Sequence, residues 1–282
     1  MEFKLLDNFA PLAGEYDALL CDAWGVIHNG VELVPGIAEA LSNFRSMRGP
    51  VIILTNAPRP SEIIPPQLDR LGLPRDAYDA VVTSGDATRA VIEKFLPGPA
   101  YQLGPDKDDA LYQGLEIEFR DIDDASFIVC TGMNDDRREN PSLYRDLLAR
   151  GVDRQLPMVC ANPDITVNWG GRILYCAGAL AEIYAELGGE VIFGGKPHRP
   201  IYELAAKEIE ARGGSPVAKS RILAVGDGLK TDLAGANANG IDILFVTGAG
   251  GIHSGGNTMS EISATLADGN VHCVAAMEKL TW

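Results

Sequence analysis

Short, unbroken apolar runs alternate with helical patterns in the N-terminal part of the chain. Asp17–Asp22, Val51–Leu54 and Ala80–Thr83 have the pattern of strands. The segments between them are helical, with apolar residues such as Ile37 and Leu41 at helical spacing. Strands that are apolar throughout are typical of a parallel sheet covered by helices on both faces. The pattern therefore predicts a doubly wound, Rossmann-like α/β core.

A second α/β pattern interrupts this core. After the breaker cluster Pro97-Gly98-Pro99, helical segments separate the strand candidates Tyr101–Leu103, Phe127–Cys130, Met158–Cys160 and Ile173–Tyr175. The core pattern is predicted to resume with the strands Val191–Phe193, Arg221–Val225 and Ile241–Val246. We therefore expect an inserted α/β domain at residues 98–188, between core segments 1–97 and 189–282.

Composition excludes several classes of protein. The net charge is −15, with 24 basic against 39 acidic residues, which argues against a nucleic-acid or anionic-membrane surface. No apolar run approaches the roughly 20 residues that span a bilayer, and the N-terminus lacks the basic stretch of a signal peptide. Five scattered cysteines without a C-x-x-C pair predict buried thiols in a reducing compartment. A cytoplasmic protein is expected.

A glycine-rich segment, Gly248–Gly256, invites comparison with the dinucleotide-binding fingerprint. His253 stands where the third glycine of that motif would fall, and the segment follows the last strong strand rather than the first. The segment is therefore a poor match to the dinucleotide-binding fingerprint.

Polar residues that can handle a phosphate follow the strands or begin helices. They lie in Asp22-Ala-Trp24, Leu54-Thr55-Asn56, Gly195-Lys196-Pro197 and Gly226-Asp227, with Asp232 shortly after the last. The carboxyl ends of strands in an open α/β sheet share one crevice, so these segments can converge. Two carboxylates suit Mg²⁺, and a hydroxyl and a lysine can hold an anion. Phosphoryl transfer needs a nucleophilic oxygen, a metal and a cationic clamp of this kind.

The order and spacing of these segments resemble the four motifs of the haloacid dehalogenase (HAD) superfamily, class IIA. That branch includes nitrophenyl-phosphatase-like and sugar-phosphatase-like enzymes. The resemblance implies Asp22 as nucleophile, Thr55 and Lys196 as phosphate-handling residues, and Asp232 as a supporting acid. It also implies Mg²⁺ held by Asp22, Asp227 and the backbone carbonyl of Trp24.

The same resemblance assigns substrate recognition to a cap inserted between the second and third motifs. It implies a substrate site formed by Thr55, Asn56, Asn162, Asp164 and Lys196, with Gly170-Gly171 also lining it. Arg59, just after Thr55-Asn56, either reaches the substrate or is a solvated loop arginine, and the second interpretation is expected. A small phosphorylated substrate and a possible homodimer through the cap complete the expectation.

Trp24 departs from the family pattern. HAD phosphatases carry a second aspartate two residues after the nucleophile, which protonates the leaving group. An indole has no proton to exchange at useful pH, and losing general acid–base help costs about 10²–10⁴-fold in rate. Without a replacement acid, the rate should depend steeply on the pKa of the leaving group. His28, in the segment after the nucleophile, is the candidate replacement.

Three functions stay open. The first is a phosphatase whose substrate has a good leaving group or in which another residue supplies the acid. The second is a dehalogenase-like hydrolase, because dehalogenases carry an aromatic residue at the position of Trp24. They work without metal, however, and lack an acid at the position of Asp227, which favours phosphate chemistry. The third is a catalytically weak protein that binds a phosphorylated metabolite.

Overall fold

The computed structural model describes residues 3–248 and 258–282. Most of the glycine-rich segment lies outside these residues, so its comparison with a dinucleotide fingerprint stays a prediction. Within the described ranges, no helix is both long enough and apolar enough to cross a bilayer.

Strands and helices alternate along most of the chain. The strands are Lys4–Leu5 (β1), Ala18–Cys21 (β2), Val51–Thr55 (β3), Ala80–Thr83 (β4), Ala100–Leu103 (β5), Phe127–Cys130 (β6), Met158–Cys160 (β7), Thr166–Trp169 (β8), Arg172–Tyr175 (β9), Val191–Phe193 (β10), Ile222–Gly226 (β11), Asp242–Val246 (β12) and Ala275–Met277 (β13). The α-helices are Ala10–Ala13 (α1), Ile37–Met47 (α2), Ile64–Leu71 (α3), Ser84–Ile92 (α4), Arg145–Asp153 (α5), Ala177–Glu186 (α6), Arg199–Gly213 (α7), Ala234–Asn239 (α8) and Met259–Asp268 (α9).

The larger sheet has seven strands in the order β1-β13-β12-β11-β2-β3-β4, and every pairing in it is parallel. Successive residues of a strand face opposite sides of a sheet. Leu19 packs in one buried cluster with Leu41 of α2, whereas Leu20 packs in another with Ile201 of α7. Helices therefore cover both faces, and the predicted doubly wound core is confirmed.

A second parallel sheet lies in the inserted segment, with strand order β10-β7-β6-β5. One face packs against α5 and α6, and the other packs against the end of α4. The antiparallel pair β8-β9 forms a separate hairpin. The segment Asp106–Tyr112, between β5 and β6, is a 3₁₀-helix.

The assignment of Val191–Phe193 to the core sheet is wrong. This strand, β10, pairs in parallel with β7 of the second sheet. The second sheet therefore continues past the predicted boundary at residue 188, and the chain re-enters the core only after Phe193. We refer to residues 98–193 as the cap.

Candidate active site

Three carboxylates converge where the central strands of the larger sheet end. Asp22 follows β2, Asp227 follows the adjacent strand β11, and Asp232 lies in the turn of π-helix before α8. Each offers an oxygen within 4.8 Å of the others, and all three residues are buried. Negative charges this close repel one another, so the arrangement requires cations.

Lys196 supplies the first of these cations. Its Nζ donates to Asp22 Oδ1 at 2.5 Å and to Asp232 Oδ1 at 2.7 Å. Burial lowers the pKa of Lys196, but the neighbouring carboxylates Asp22, Asp232 and Asp164 together raise it more, so the amine stays charged. Burial also raises the pKa of Asp22, Asp232 adds to that effect, and Lys196 opposes it. The nucleophile predicted from sequence is thus held in a charged, desolvated setting.

A hard divalent cation fits the same cluster. Asp232 is already engaged through both oxygens, by Lys196 and by the N–H of Gly228 at 3.1 Å. Asp22 and Asp227 are the other two carboxylates, and an all-oxygen donor set is what Mg²⁺ prefers. Gly25 has φ +93°, and a Cβ there would collide with the carboxylate of Asp227. Only glycine therefore lets the loop after β2 approach this carboxylate.

Asn56 joins the lysine loop to the core and to the cap. Its Oδ1 accepts from the N–H of Lys196 at 2.8 Å, and its Nδ2 donates to the Lys196 carbonyl at 3.2 Å. The same Nδ2 donates to Asp164 Oδ1 at 3.0 Å. Thr55, the last residue of β3, accepts from the N–H of Ala57 through its hydroxyl at 3.3 Å. Residues predicted to share the site from four distant segments are therefore brought together.

A pocket of about 350 Å³ separates the core from the cap beside these residues. Its walls include Thr55 and Asn56 on the core side and Asn162 and Asp164 on the cap side. Four of the five predicted substrate residues therefore line one cavity. The fifth, Lys196, is buried and contacts Asn56 and Asp22 instead.

The charged residues lining the pocket are Arg59, Arg70, Lys107 and Arg137 against Asp108, Asp136 and Asp164. Cations outnumber anions here although the whole chain carries −15, which favours an anionic ligand. Sequence reasoning did not find the last three cations, which come from separate elements. Gln67 and Arg70 lie at i, i+3 and share one face of α3, a spacing that does not by itself indicate a pocket.

The interpretation of Arg59 as a solvated loop residue is wrong. Its side chain is 24% exposed, and its Nε lies 3.4 Å from Oδ1 of the buried Asp108. Burial raises the pKa of Asp108 to about 6, while Arg59 opposes that shift. The pair belongs to the pocket wall.

Trp24 connects the core to the cap hairpin. Its Nε1–H donates to the carbonyl of Asn168 in β8 at 2.8 Å. Gly170, in the turn between β8 and β9, donates its N–H to the carbonyl of Asn29 at 3.1 Å. Gly170 was expected to line the substrate site, and it instead touches the loop that follows the nucleophile. Trp24, which stands where HAD phosphatases have the acid, therefore joins the core to the cap by a hydrogen bond.

The surroundings of His28 argue against its role as replacement acid. The residue is 3% exposed, and its Nδ1 accepts from the N–H of Gly30 at 3.0 Å. Burial lowers the pKa of His28 to about 4. The imidazole is therefore neutral at neutral pH and carries no readily donated proton.

We expect Trp24→Phe to weaken substrate binding more than turnover. Phenylalanine keeps a ring and removes the N–H, leaving the Asn168 carbonyl without this donor. A lost hydrogen bond of this kind costs about 0.5–1.5 kcal/mol, so KM should rise roughly 2- to 10-fold. Trp282→Phe is the control, because Trp282 packs on Phe9 and neither residue lines the pocket. Steady-state kinetics on nitrophenyl phosphate that show an unchanged KM for Trp24→Phe would contradict the connection.

Known proteins that resemble this chain are hydrolases. Residues 19–118 match the haloacid dehalogenase-like hydrolase family, and residues 193–266 match a HAD-hydrolase-like family. A crystal structure of a haloacid dehalogenase-like hydrolase from Brucella suis is 41% identical, with a TM-score of 0.89, over 98% of this chain and 100% of that one.

Two characterised relatives are more distant. D-glycerol 3-phosphate phosphatase of Mycobacterium tuberculosis is 26% identical over 83% of this chain, which spans only 64% of that protein's length. Acid sugar phosphatase of Staphylococcus saprophyticus is 27% identical over 82% of this chain and 86% of its own. Together with the full-length similarity to the Brucella suis hydrolase, these matches show that the chain belongs to the haloacid dehalogenase-like hydrolase family.

Proposed function

We propose that this hydrolase is a Mg²⁺-dependent phosphatase that acts on a small phosphorylated metabolite through an aspartyl-phosphate. The observation that carries the proposal is Lys196 bridging Asp22 and Asp232 next to Asp227, beside a pocket in which cations outnumber anions. The two characterised relatives act on phosphate esters by their names, which supports the same reaction class here.

Each residue of the site has a separate role in the proposed reaction. A carboxylate oxygen of Asp22 forms a bond to phosphorus while the ester P–O bond breaks, and the alcohol leaves on the side of the pocket. Lys196 and the hydroxyl and backbone donors at Thr55 hold the phosphoryl oxygens. Asp232 keeps Lys196 in place and charged. Water then cleaves the bond between Asp22 and phosphorus, which restores the carboxylate and releases phosphate. When bound, Mg²⁺ offsets the repulsion between Asp22 and the phosphate.

The pocket limits the substrate to a small molecule. A cavity of about 350 Å³ is at the lower end of the range for ligand sites. The unequal charge on its wall favours a leaving group that carries hydroxyl or anionic groups rather than an apolar one.

Phosphate release from a panel of phosphate esters, with Mg²⁺ and with excess chelator, tests the proposal. We expect release from at least one ester, dependent on the metal. Halide release from a haloacid without metal would favour the dehalogenase-like alternative. Tight binding of phosphate esters without turnover would favour a sensor.

A further inference from the structure

Trp24 leaves the usual proton-donor position without an acid, and a carboxyl group from the cap reaches the same pocket. We propose that Asp164 is the general acid that protonates the leaving group and the general base that then activates water. The inference rests on the proposed phosphatase function and names the residue that replaces the missing aspartate.

Asp164 lies on the side of the pocket to which the leaving group departs. In phosphoryl transfer the leaving oxygen lies opposite the attacking oxygen. Asp22 attacks from the floor of the core, so the alcohol departs toward the cap. Asp164 Oδ1 accepts from Asn56 Nδ2 at 3.0 Å. Asn56 also holds the backbone of Lys196, whose Nζ lies 2.5 Å from Asp22. Asp164 is therefore connected to the nucleophile Asp22 through the side chains of Asn56 and Lys196.

The loop that carries Asp164 is held rigidly. The N–H of Asp164 donates to Asn162 Oδ1 at 3.0 Å, and its carbonyl accepts from the N–H of Gly178 at 3.1 Å. A Cβ at Gly178 would collide with the backbone of this loop, so only glycine allows α6 to begin so close to it. A positioned acid needs such support, because small displacements cost rate.

The charges around Asp164 suit both of its roles. Burial raises its pKa to about 6, Lys196 and the hydrogen bond from Asn56 oppose that shift, and Asp232 adds to it. Cys176 is a further titratable group near it, and burial keeps that thiol protonated. A carboxyl with a pKa near the working pH can both lose and regain a proton.

Two other carboxyls line the pocket, but both face cations rather than the nucleophile. Asp108 pairs with Arg59, and Asp136 pairs with Lys107. Within the described part of the chain, neither accepts a hydrogen bond from Asn56 as Asp164 does. Asp108 is the better matched comparison, because burial raises its pKa to about 6 as well.

The proton balance closes over the two steps. As the P–O ester bond breaks, the Asp164 O–H proton passes to the departing oxygen, which leaves as a neutral alcohol. The resulting Asp164 carboxylate accepts a proton from the water that attacks the phosphorylated Asp22. Phosphate leaves, and both residues return to their starting states without another reactant.

The experiment measures kcat/KM for an alkyl phosphate and for nitrophenyl phosphate, whose phenolate leaves without a proton. In Asp164→Asn, we expect the alkyl-to-aryl ratio to fall by about 10²–10⁴-fold. Nitrophenolate should also appear as a burst, because no base helps water to remove the phosphoryl group. Asp108→Asn also changes the pocket wall, but Asp108 pairs with Arg59, so we expect any loss to be equal for the two esters and the alkyl-to-aryl ratio to stay that of the wild type. Asp164→Glu, which keeps the carboxyl, should recover part of the ratio.

An unchanged ratio in Asp164→Asn, or an equal loss on both esters, overturns the inference while the phosphatase proposal stands. The same fall in Asp108→Asn also overturns it, because the effect would then belong to the pocket as a whole. A wild-type protein that releases phosphate from no ester contradicts the phosphatase proposal and, with it, this inference. Activity on the aryl ester serves as the check that each variant is folded.

Discussion

Asp22→Asn should reduce turnover by about 10⁴-fold or more in a protein that remains folded. The amide has nearly the shape of the carboxylate and still offers an oxygen to Lys196, but it lacks the anionic oxygen that would bond to phosphorus. Phosphate release measures the loss. Unchanged release in this variant would remove the mechanism.

The free energy of unfolding of Asp22→Asn tests whether the buried charge of Asp22 destabilises the fold. Burial raises the pKa of Asp22, and a carboxyl whose pKa is raised in the folded state destabilises the fold at pH values above its unfolded pKa. Asp22→Asn should therefore leave the free energy of unfolding at neutral pH unchanged or increased, as measured by denaturant titration. A large decrease would show that the ion pair with Lys196 outweighs the burial of the charge.

Asp17→Asn is the matched control, because Asp17 immediately precedes the same strand β2 at its opposite end. The hydrogen bonds from Arg221 lower the pKa of Asp17. Its charge therefore stabilises the fold at pH values above its unfolded pKa, and that contribution is lost as the pH falls through its folded pKa. Asp17→Asn should keep the activity and slightly lower the stability at neutral pH, which is the reverse of Asp22→Asn on both measurements.

Asp227→Ala should lose Mg²⁺ binding and turnover together. Asp22 would then be the only carboxylate left for the metal, because Lys196 and Gly228 already hold both oxygens of Asp232. A single carboxylate is a weak site for a cation that keeps most of its water. Titration calorimetry with Mg²⁺ measures binding without reference to activity. We expect no resolvable heat in the variant at concentrations that saturate the wild type.

Asp242→Ala is the comparison for the metal experiment. Asp242 begins the neighbouring strand β12, at the end of the sheet away from the site, and accepts a hydrogen bond from Tyr16. This variant should bind Mg²⁺ as the wild type does. Full activity of the wild type in excess chelator would contradict the metal site and revive the metal-free dehalogenase alternative.

Several elements were predictable because their signal is local. The strands β4, β6 and β7 coincide with the predicted ranges, since a short apolar run bounded by turn residues is the typical pattern of a buried strand. The short strands β1 and β13 pair with each other at one edge of the larger sheet and were not predicted, because β1 consists of two exposed residues and β13 is mostly alanine, which is depleted in strands. The hairpin strand β8 is half-buried along its length and has no apolar run, so it was not predicted either.

The convergence of the polar site residues in the core was also predictable from the sequence. Asp22, Thr55 and Asp227 stand at or just after the ends of apolar strands, and parallel strands bring their carboxyl ends to one edge. Their convergence follows from the strand pattern and the direction of the chain. Lys196 was predicted to join them, although it reaches the site from β10 of the cap sheet rather than from a core strand.

The sequence by itself therefore determined the central strands of the larger sheet, the doubly wound core and the acids at its centre, because each depends on neighbours within a few residues. Only the tertiary structure decided where β10 pairs, since three apolar residues suit either sheet and only the partner strand distinguishes them. It also decided that Trp24 meets Asn168 and that Asn56 meets Asp164. These contacts join residues more than a hundred positions apart. They depend on how the cap lies over the core, which no local pattern encodes.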